Sequence, residues 1–213
     1  MHRTWRGIVC LLGLAAVALT GGCGNLLGAM AVASQTPTEK VAAEYDKLEG
    51  AKALVLVWAE PDVLFDYPNI RLEISAYLSD YLKAHVKGVQ LIPARQVEDY
   101  VERLSTSTQD PEAAGRYFHV DKVIHVTMLE FSMRDREMAH FYRGRARASI
   151  AVYDLKDKSG TTQRYALTDV SVVYPPKDPV GFDNTTAQMV RQKTYEAFAD
   201  AVGRKFYVWE RET

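Results

Sequence analysis

The sequence predicts an α/β (α+β) domain: a mixed sheet of about five strands, helices packed on it, in the order strand, helix, strand, helix, helix, strand, strand, strand, helix. Three observations carry this. Ala53 to Trp58 is a near-continuous apolar run of strand length, the mark of a strand buried on both faces. Ile70, Ile74, Tyr77, Leu78, Tyr81 and Leu82 then recur at helical spacing before Val89 to Ile92 forms a second short strand. Such a crossover sets the two strands parallel. Further along, Lys122 to Met133, Ala146 to Tyr153 and Arg164 to Tyr174 follow one another as an antiparallel meander.

Each element has its own signals. Thr36-Pro37-Thr38-Glu39 reads as a capping box, so a short amphipathic helix is expected through Val41, Ala42, Tyr45 and Leu48 before Gly50. Pro61 to Asn69 reads as a loop, and Lys87-Gly88 ends the helix that follows it. Pro93 opens a helix through Val97, Tyr100, Val101 and Leu104. Ser105 to Gln109 is a polar connection; Asp110 caps and Pro111 starts a short helix to about His119. In the meander, Ala146, Ala148, Ile150 and Val152 share one face, with Arg147, Ser149 and Tyr153 on the other. Leu155 to Gln163 is a turn, and the alternation slips near Asp169, where a bulge is expected. Pro175, Pro176 and Pro179 rule out strand beyond Tyr174 on this reading. Val190, Thr194, Ala197, Phe198, Ala201 and Val202 give a long last helix ending at Phe206, Tyr207 and Trp209.

The first residues have the pattern of an export signal. Arg3 and Arg6 precede an uncharged run from Gly7 to Leu19 that is too short to span a bilayer, and Thr20-Gly21-Gly22-Cys23 closes it. A cysteine after small residues reads as a lipobox, although Thr20 stands where Leu, Val or Ile is usual. The expected organisation is a signal over 1–22, a lipidated Cys23 with a flexible tether to residue 35, and one globular domain over 36–213. Diacylglycerol plus an N-acyl chain on Cys23 would supply the two anchors that stable membrane attachment needs. Gly24 follows Cys23 where Asp would favour inner-membrane retention in enteric bacteria, so the outer membrane, facing the periplasm, is the expected location.

Composition is that of a globular protein, 47% hydrophobic and 25% charged. Removing the signal takes Lys and Arg from 26 to 24 against 27 acids, moving the formal charge from -1 to -3. Arg134 to Arg136 and Arg143 to Arg147 are short mixed runs, read as solvated strand and loop faces, and no nucleic-acid partner is expected. Both cysteines, Cys10 and Cys23, lie in the export region, which leaves no disulfide, cysteine nucleophile or cysteine-rich zinc site for the domain.

His119, Asp121 and His125 are the one tight His/Asp group, without a third or fourth ligand at familiar spacing, and no metal is expected. Glu60 and Asp62 flank Pro61 after the first buried strand, where α/β sheets place ligands, and are read as loop polar residues with cation binding as the alternative. The sequence has no nucleophile elbow, phosphate loop or dinucleotide fingerprint, so neither enzyme activity nor a cofactor is expected. Ser132 to Arg145 reads as a charged connection around Met138, Phe141 and Tyr142, which are the candidate contact for a protein partner or, equally, side chains folded back onto the core.

The opening strand Ala53 to Trp58, Val89 to Pro93 with its helix, and Glu112 to Asp121 leading into Lys122 to Val126 resemble a domain of exported bacterial proteins. Its members are the curli-secretion lipoprotein, the lipoprotein activators of penicillin-binding proteins and the amino-terminal domain of TolB. His119 stands where those families usually carry glycine. Through Asp66 to Asn69 and Tyr142 to Arg145 the chain also resembles uncharacterised bacterial envelope lipoproteins. The lipobox, the missing catalytic motifs and this resemblance together give the expectation of a non-catalytic lipoprotein that presents its domain to an unknown envelope protein, as a regulator of cell-wall synthesis or part of a transport assembly. The alternative is an accessory lipoprotein of a lipid or solute transport system.

Overall fold

The computed structural model describes residues 38–104, 110–138, 140–155 and 161–212. In chain order these form β1 (Thr38–Val41), β2 (Lys52–Ala59), α1 (Pro61–Asp66), α2 (Ile70–His85), β3 (Gln90–Leu91), α3 (Ala94–Arg103) and α4 (Pro111–Phe118). The long strands β4 (Lys122–Arg134) and β5 (Phe141–Asp154) follow, then β6 (Gln163–Ala166), β7 (Val170–Tyr174), β8 (Val180–Gly181), α5 (Ala187–Gly203), a 3-10 turn at Arg204–Phe206 and β9 (Trp209–Glu212). β1 and β9 pair as a two-stranded ribbon, and Thr38–Lys40 and Glu210–Glu212 belong to a small unit distinct from Val41–Trp209.

Within the larger unit the sheet runs β3-β2-β4-β5, and its last position is shared by three short strands along β5. β6 pairs Ala151 to Asp154, β7 pairs Gly144 to Ala148, and β8 pairs Phe141 and Tyr142. β2 is parallel to β3 and β4, while β4 and β5 are antiparallel. Seven strands thus fill five positions of one mixed sheet, in line with the expected class.

Alternation along the strands divides the core. Ala53, Val55 and Val57 of β2, Ile124, Val126 and Met128 of β4, and Ala146, Ala148 and Ile150 of β5 face α2 and α5, meeting Ile74, Leu78, Phe198 and Val202. Leu54, Leu56 and Val123 face the other way, against Val97 and Val101 of α3 and Ala114 of α4. α4 seats closely because Gly115 has no side chain: a Cβ there would overlap Val123 and Leu155. At the start of the sheet, Asp121 Oδ2 accepts from the Lys52 backbone N–H at 3.1 Å, and Lys52 Nζ donates to the Phe118 carbonyl at 3.2 Å.

Several elements differ from expectation. Thr38–Val41 is a strand, and no helix follows before Gly50. A helix of two turns is weak alone, whereas β-branched Thr38 and Val41 fit a strand once β9 supplies a partner. Tyr45 and Leu48 are nevertheless buried, as their apolar spacing required. Pro61–Asp66 is helical, with Pro at its first position and Asp62 in its first turn. Val180 and Gly181 pair with β5 beyond the prolines, because Val180 keeps its N–H and the position is a sheet edge. The slip near Asp169 is a break between β6 and β7. The export signal, Cys23, the tether, Ser105 to Gln109 and 156–160 lie outside the described residues.

The largest difference is at Ser132 to Arg145, which is mostly strand. A register shift between Met128 and Glu130 rephases β4, turning Phe131 and Met133 to the core while Ser132 stays opposite Arg145. Only the tip between Arg134 and Phe141 lies outside the ladder.

Candidate functional site

The β4–β5 tip is organised by Asp135. Its Oδ1 accepts from the backbone N–H groups of Glu137 at 2.9 Å and Met138 at 3.1 Å, an Asx turn that folds the chain back. Phe141 closes the turn, donating its N–H to the Met138 carbonyl at 3.0 Å. The Glu137 N–H, then the Met138 N–H and Arg145, hold the Asp135 carboxyl below its ordinary range. Arg145 Nη2 approaches Asp135 Oδ2 to 3.4 Å and Arg143 Nη1 lies 4.0 Å from it. Arg143 Nη2 also donates to the Pro176 carbonyl at 3.3 Å, and Arg145 Nη1 to that of Arg134 at 3.2 Å. One turn carboxylate therefore draws two β5 arginines onto the tip.

The antiparallel ladder brings together the two arginine runs that the sequence holds apart. Along 130–147 there are five arginines and three carboxylates, a local positive excess on a chain of net charge -1. Glu130 takes Arg136 at 2.5 Å and Arg147 at 3.9 Å.

Apolar side chains surround this framework. Met138 is 45% exposed. Phe141 and Tyr142 lie half-buried at the start of β5, with the Tyr142 ring 4.2 Å from that of Phe182 just beyond β8. The Phe182 N–H donates to the His140 carbonyl at 3.2 Å, tying β8 to the tip. β2 and β4 both end on this side of the sheet, so α1 presents Phe65, 88% exposed, at the same end. α5 starts there too: its Thr194 packs on Gly144 of β5, placing exposed Met189 beyond it. Inside, Tyr67, Phe131 and Tyr195 pack ring against ring.

Of the three proposed contact residues, Met138 is exposed and Phe141 and Tyr142 are strand residues at the base of the tip. Phe65, Phe182 and Met189 were not foreseen. Each is a single apolar residue in a polar stretch, and only the topology gathers them.

The other candidates are dispersed. His119 ends α4 with φ +50°, Asp121 joins β2 to β4, and His125 points from β4 toward Tyr153, ring centroids 6.2 Å apart. Among the described residues no three His, Cys, Asp or Glu side chains are grouped to hold a metal ion. Glu60 and Asp62 are exposed on either side of Pro61 at the start of α1. Among the described residues no helix is long and apolar enough to cross a membrane.

No family model matches the chain, and no curated protein matches it. Some solved structures of bacterial proteins are similar to it. Lipoprotein GNA1162 from Neisseria meningitidis is 18% identical over 71% of this chain and 98% of its own, with a TM-score of 0.43. The PelC dodecamer from Paraburkholderia phytofirmans is 9% identical over 76% of this chain and 93% of its own, with a TM-score of 0.42. A minor lipoprotein from Acinetobacter baumannii is 15% identical over 76% of this chain and 96% of its own, with a TM-score of 0.31.

Proposed function

We propose that this protein is a non-catalytic envelope lipoprotein, anchored through Cys23 and facing the periplasm from the outer membrane, whose sheet end docks an envelope protein. The observation that carries the docking reading is the gathering of Phe65, Met138, Phe182 and Met189, all exposed, from four separate parts of the chain at one end of the sheet. Scattered exposed apolar residues are ordinary, but convergence beside arginines and rings is the composition of a binding surface. The tip beneath is held by the Asp135 turn and the arginine contacts, so little order need be gained on docking. The anchor reading rests on Cys23 and the apolar run before it.

Two measurements test this separately. Cys23→Ser should abolish fatty-acid labelling and release the domain from membranes; labelling retained by the variant would remove the anchor assignment. A photo-crosslinking amino acid placed at 65, 138 or 189 in the full chain should trap one and the same envelope protein from all three positions, while the same group at Asp46, exposed near the opposite end, should not. Unrelated or absent adducts at the three positions would sink the docking reading.

A further inference from the structure

A second site lies between α3 and α4, away from the docking end. Gln96, Asp99, Tyr100 and Arg103 fall at i, i+3, i+4 and i+7 on α3 and share one stripe, leaving Val97 and Val101 for the core. Tyr117 and Phe118 stand opposite, in the last turn of α4, just before the left-handed His119 turns the chain away. These six residues line a cavity of about 230 Å³.

Its floor is aromatic. The Tyr100 and Tyr117 ring centroids are 4.6 Å apart at a 32° tilt, and Phe118 meets both edge-on, at 5.5 and 4.9 Å. Tyr117 is nonetheless 55% exposed, a ring held in place by neighbours while much of it stays open to solvent. The walls are planar hydrogen-bonding groups: an amide, a carboxylate and a guanidinium. Asp99 has Arg95 at 3.0 Å. Gln96 and Arg103 form no side-chain hydrogen bond or ion pair among the described residues. Burial, then Asp110, raises the Tyr100 phenol above its ordinary pKa, so it keeps its proton and can donate.

This lining selects by chemistry. The lining carries one carboxylate, already paired with Arg95, and one guanidinium, so no cluster of like charge is built there for a polyanion or polycation. Donors and acceptors are both present, as a polyhydroxyl ligand requires. An open aromatic ring suits the apolar face of a flat, saturated ring. The volume is below the roughly 300 Å³ at which drug-sized pockets begin, so it holds one ring of a longer chain that leaves by the open side. We propose that the groove between α3 and α4 binds a neutral saccharide, one sugar ring seated on Tyr117 with Gln96, Asp99 and Arg103 hydrogen-bonded to its hydroxyl or amide groups.

The test is calorimetric titration of the full chain with two soluble probes, the tetrasaccharide of N-acetylglucosamine and the β-1,4 tetrasaccharide of glucose. Saturable millimolar or tighter binding of either is expected, and the preferred probe distinguishes an amino-sugar polymer from a plain glucan. Tyr117→Ala should weaken that binding about tenfold or more, the scale of one lost ring contact with its burial. Arg103→Gln should weaken it too, at a side chain with no hydrogen bond or ion pair among the described residues, while Val208→Ala, at an exposed apolar residue elsewhere, should leave it unchanged. Melting temperatures of all variants near that of the parent keep the comparison one of binding. Binding of neither probe, or binding undiminished in both Tyr117→Ala and Arg103→Gln, overturns the proposal.

Discussion

His125 shows how one side chain sets a pH response. It projects from β4 toward the α3–α4 side, with its Nε2 buried and without a hydrogen-bond partner among the described residues. Burial, then the nearby Arg164 charge, pushes its pKa down to about 4 from an ordinary 6.5. Between those values the unfolded chain binds a proton that the folded chain refuses, so stability should fall as pH drops through that window. His125→Phe keeps a ring against Tyr153 and removes the orphan nitrogen. Melting curves from pH 7 to 4 should show the variant as stable or about 1 kcal/mol more stable at neutral pH and flatter below it. An unchanged slope would mean that another group titrates. His119 is the complementary case. Its φ of +50° strains any side chain, so His119→Gly should raise stability by about 1 kcal/mol or less, the relief of left-handed strain reduced by the greater freedom of an unfolded glycine. The end of α4 near His119 was legible in the sequence from the Asp110 cap and Pro111 start; its left-handed backbone was not.

Between elements, one close contact that seats α5 on the sheet is Gly144 against Thr194. A Cβ on Gly144 would overlap Thr194 Oγ1, which itself donates to the Val190 carbonyl at 2.7 Å, so neither partner can move away without loss. Gly144→Ala should destabilise by about 1–3 kcal/mol, and Thr194→Ala in the same chain should restore part of it, measured by denaturant unfolding. Additive losses would place the strain elsewhere. Elements with a local cause were readable from sequence: Asp110 caps α4 through the Glu112 N–H at 2.9 Å, just ahead of Pro111, and the apolar spacing gave α2 and α5. Elements whose cause is remote were not. β1 exists because β9 pairs with it, and β5 begins at Phe141 because β4 lies opposite after its register shift. The candidate site suffers most from this, since Phe65, Phe182 and Met189 are distant in sequence and are brought to one end of the sheet only by the topology.

At the scale of the whole molecule, the start of β4 and the end of β5 share a buried ion pair, Lys122 with Asp154, cross-strand partners in the ladder. Tyr45 donates its hydroxyl to Asp154 Oδ2 at 3.4 Å, so the segment after β1 is fastened to the meander, and the Tyr45 N–H donates to the Lys205 carbonyl at 3.0 Å beyond α5. Lys122→Met takes the cation from a buried carboxylate and should destabilise by about 3–5 kcal/mol, whereas Lys122→Met with Asp154→Leu should lose much less, because an apolar pair needs no counter-charge. Equal losses would show that the pair also fixes the register. The three short strands along β5 carry a different consequence. A lipid anchor would hold many copies on one surface at high local concentration, where an unbroken outer strand would template pairing with the next molecule. Here that outer row changes strand at 167–169 and again across the proline-bearing stretch after Tyr174, offering no more than five consecutive strand residues at a time. Neighbours crowded by such an anchor would meet a broken row, which offers no continuous template for edge-to-edge aggregation.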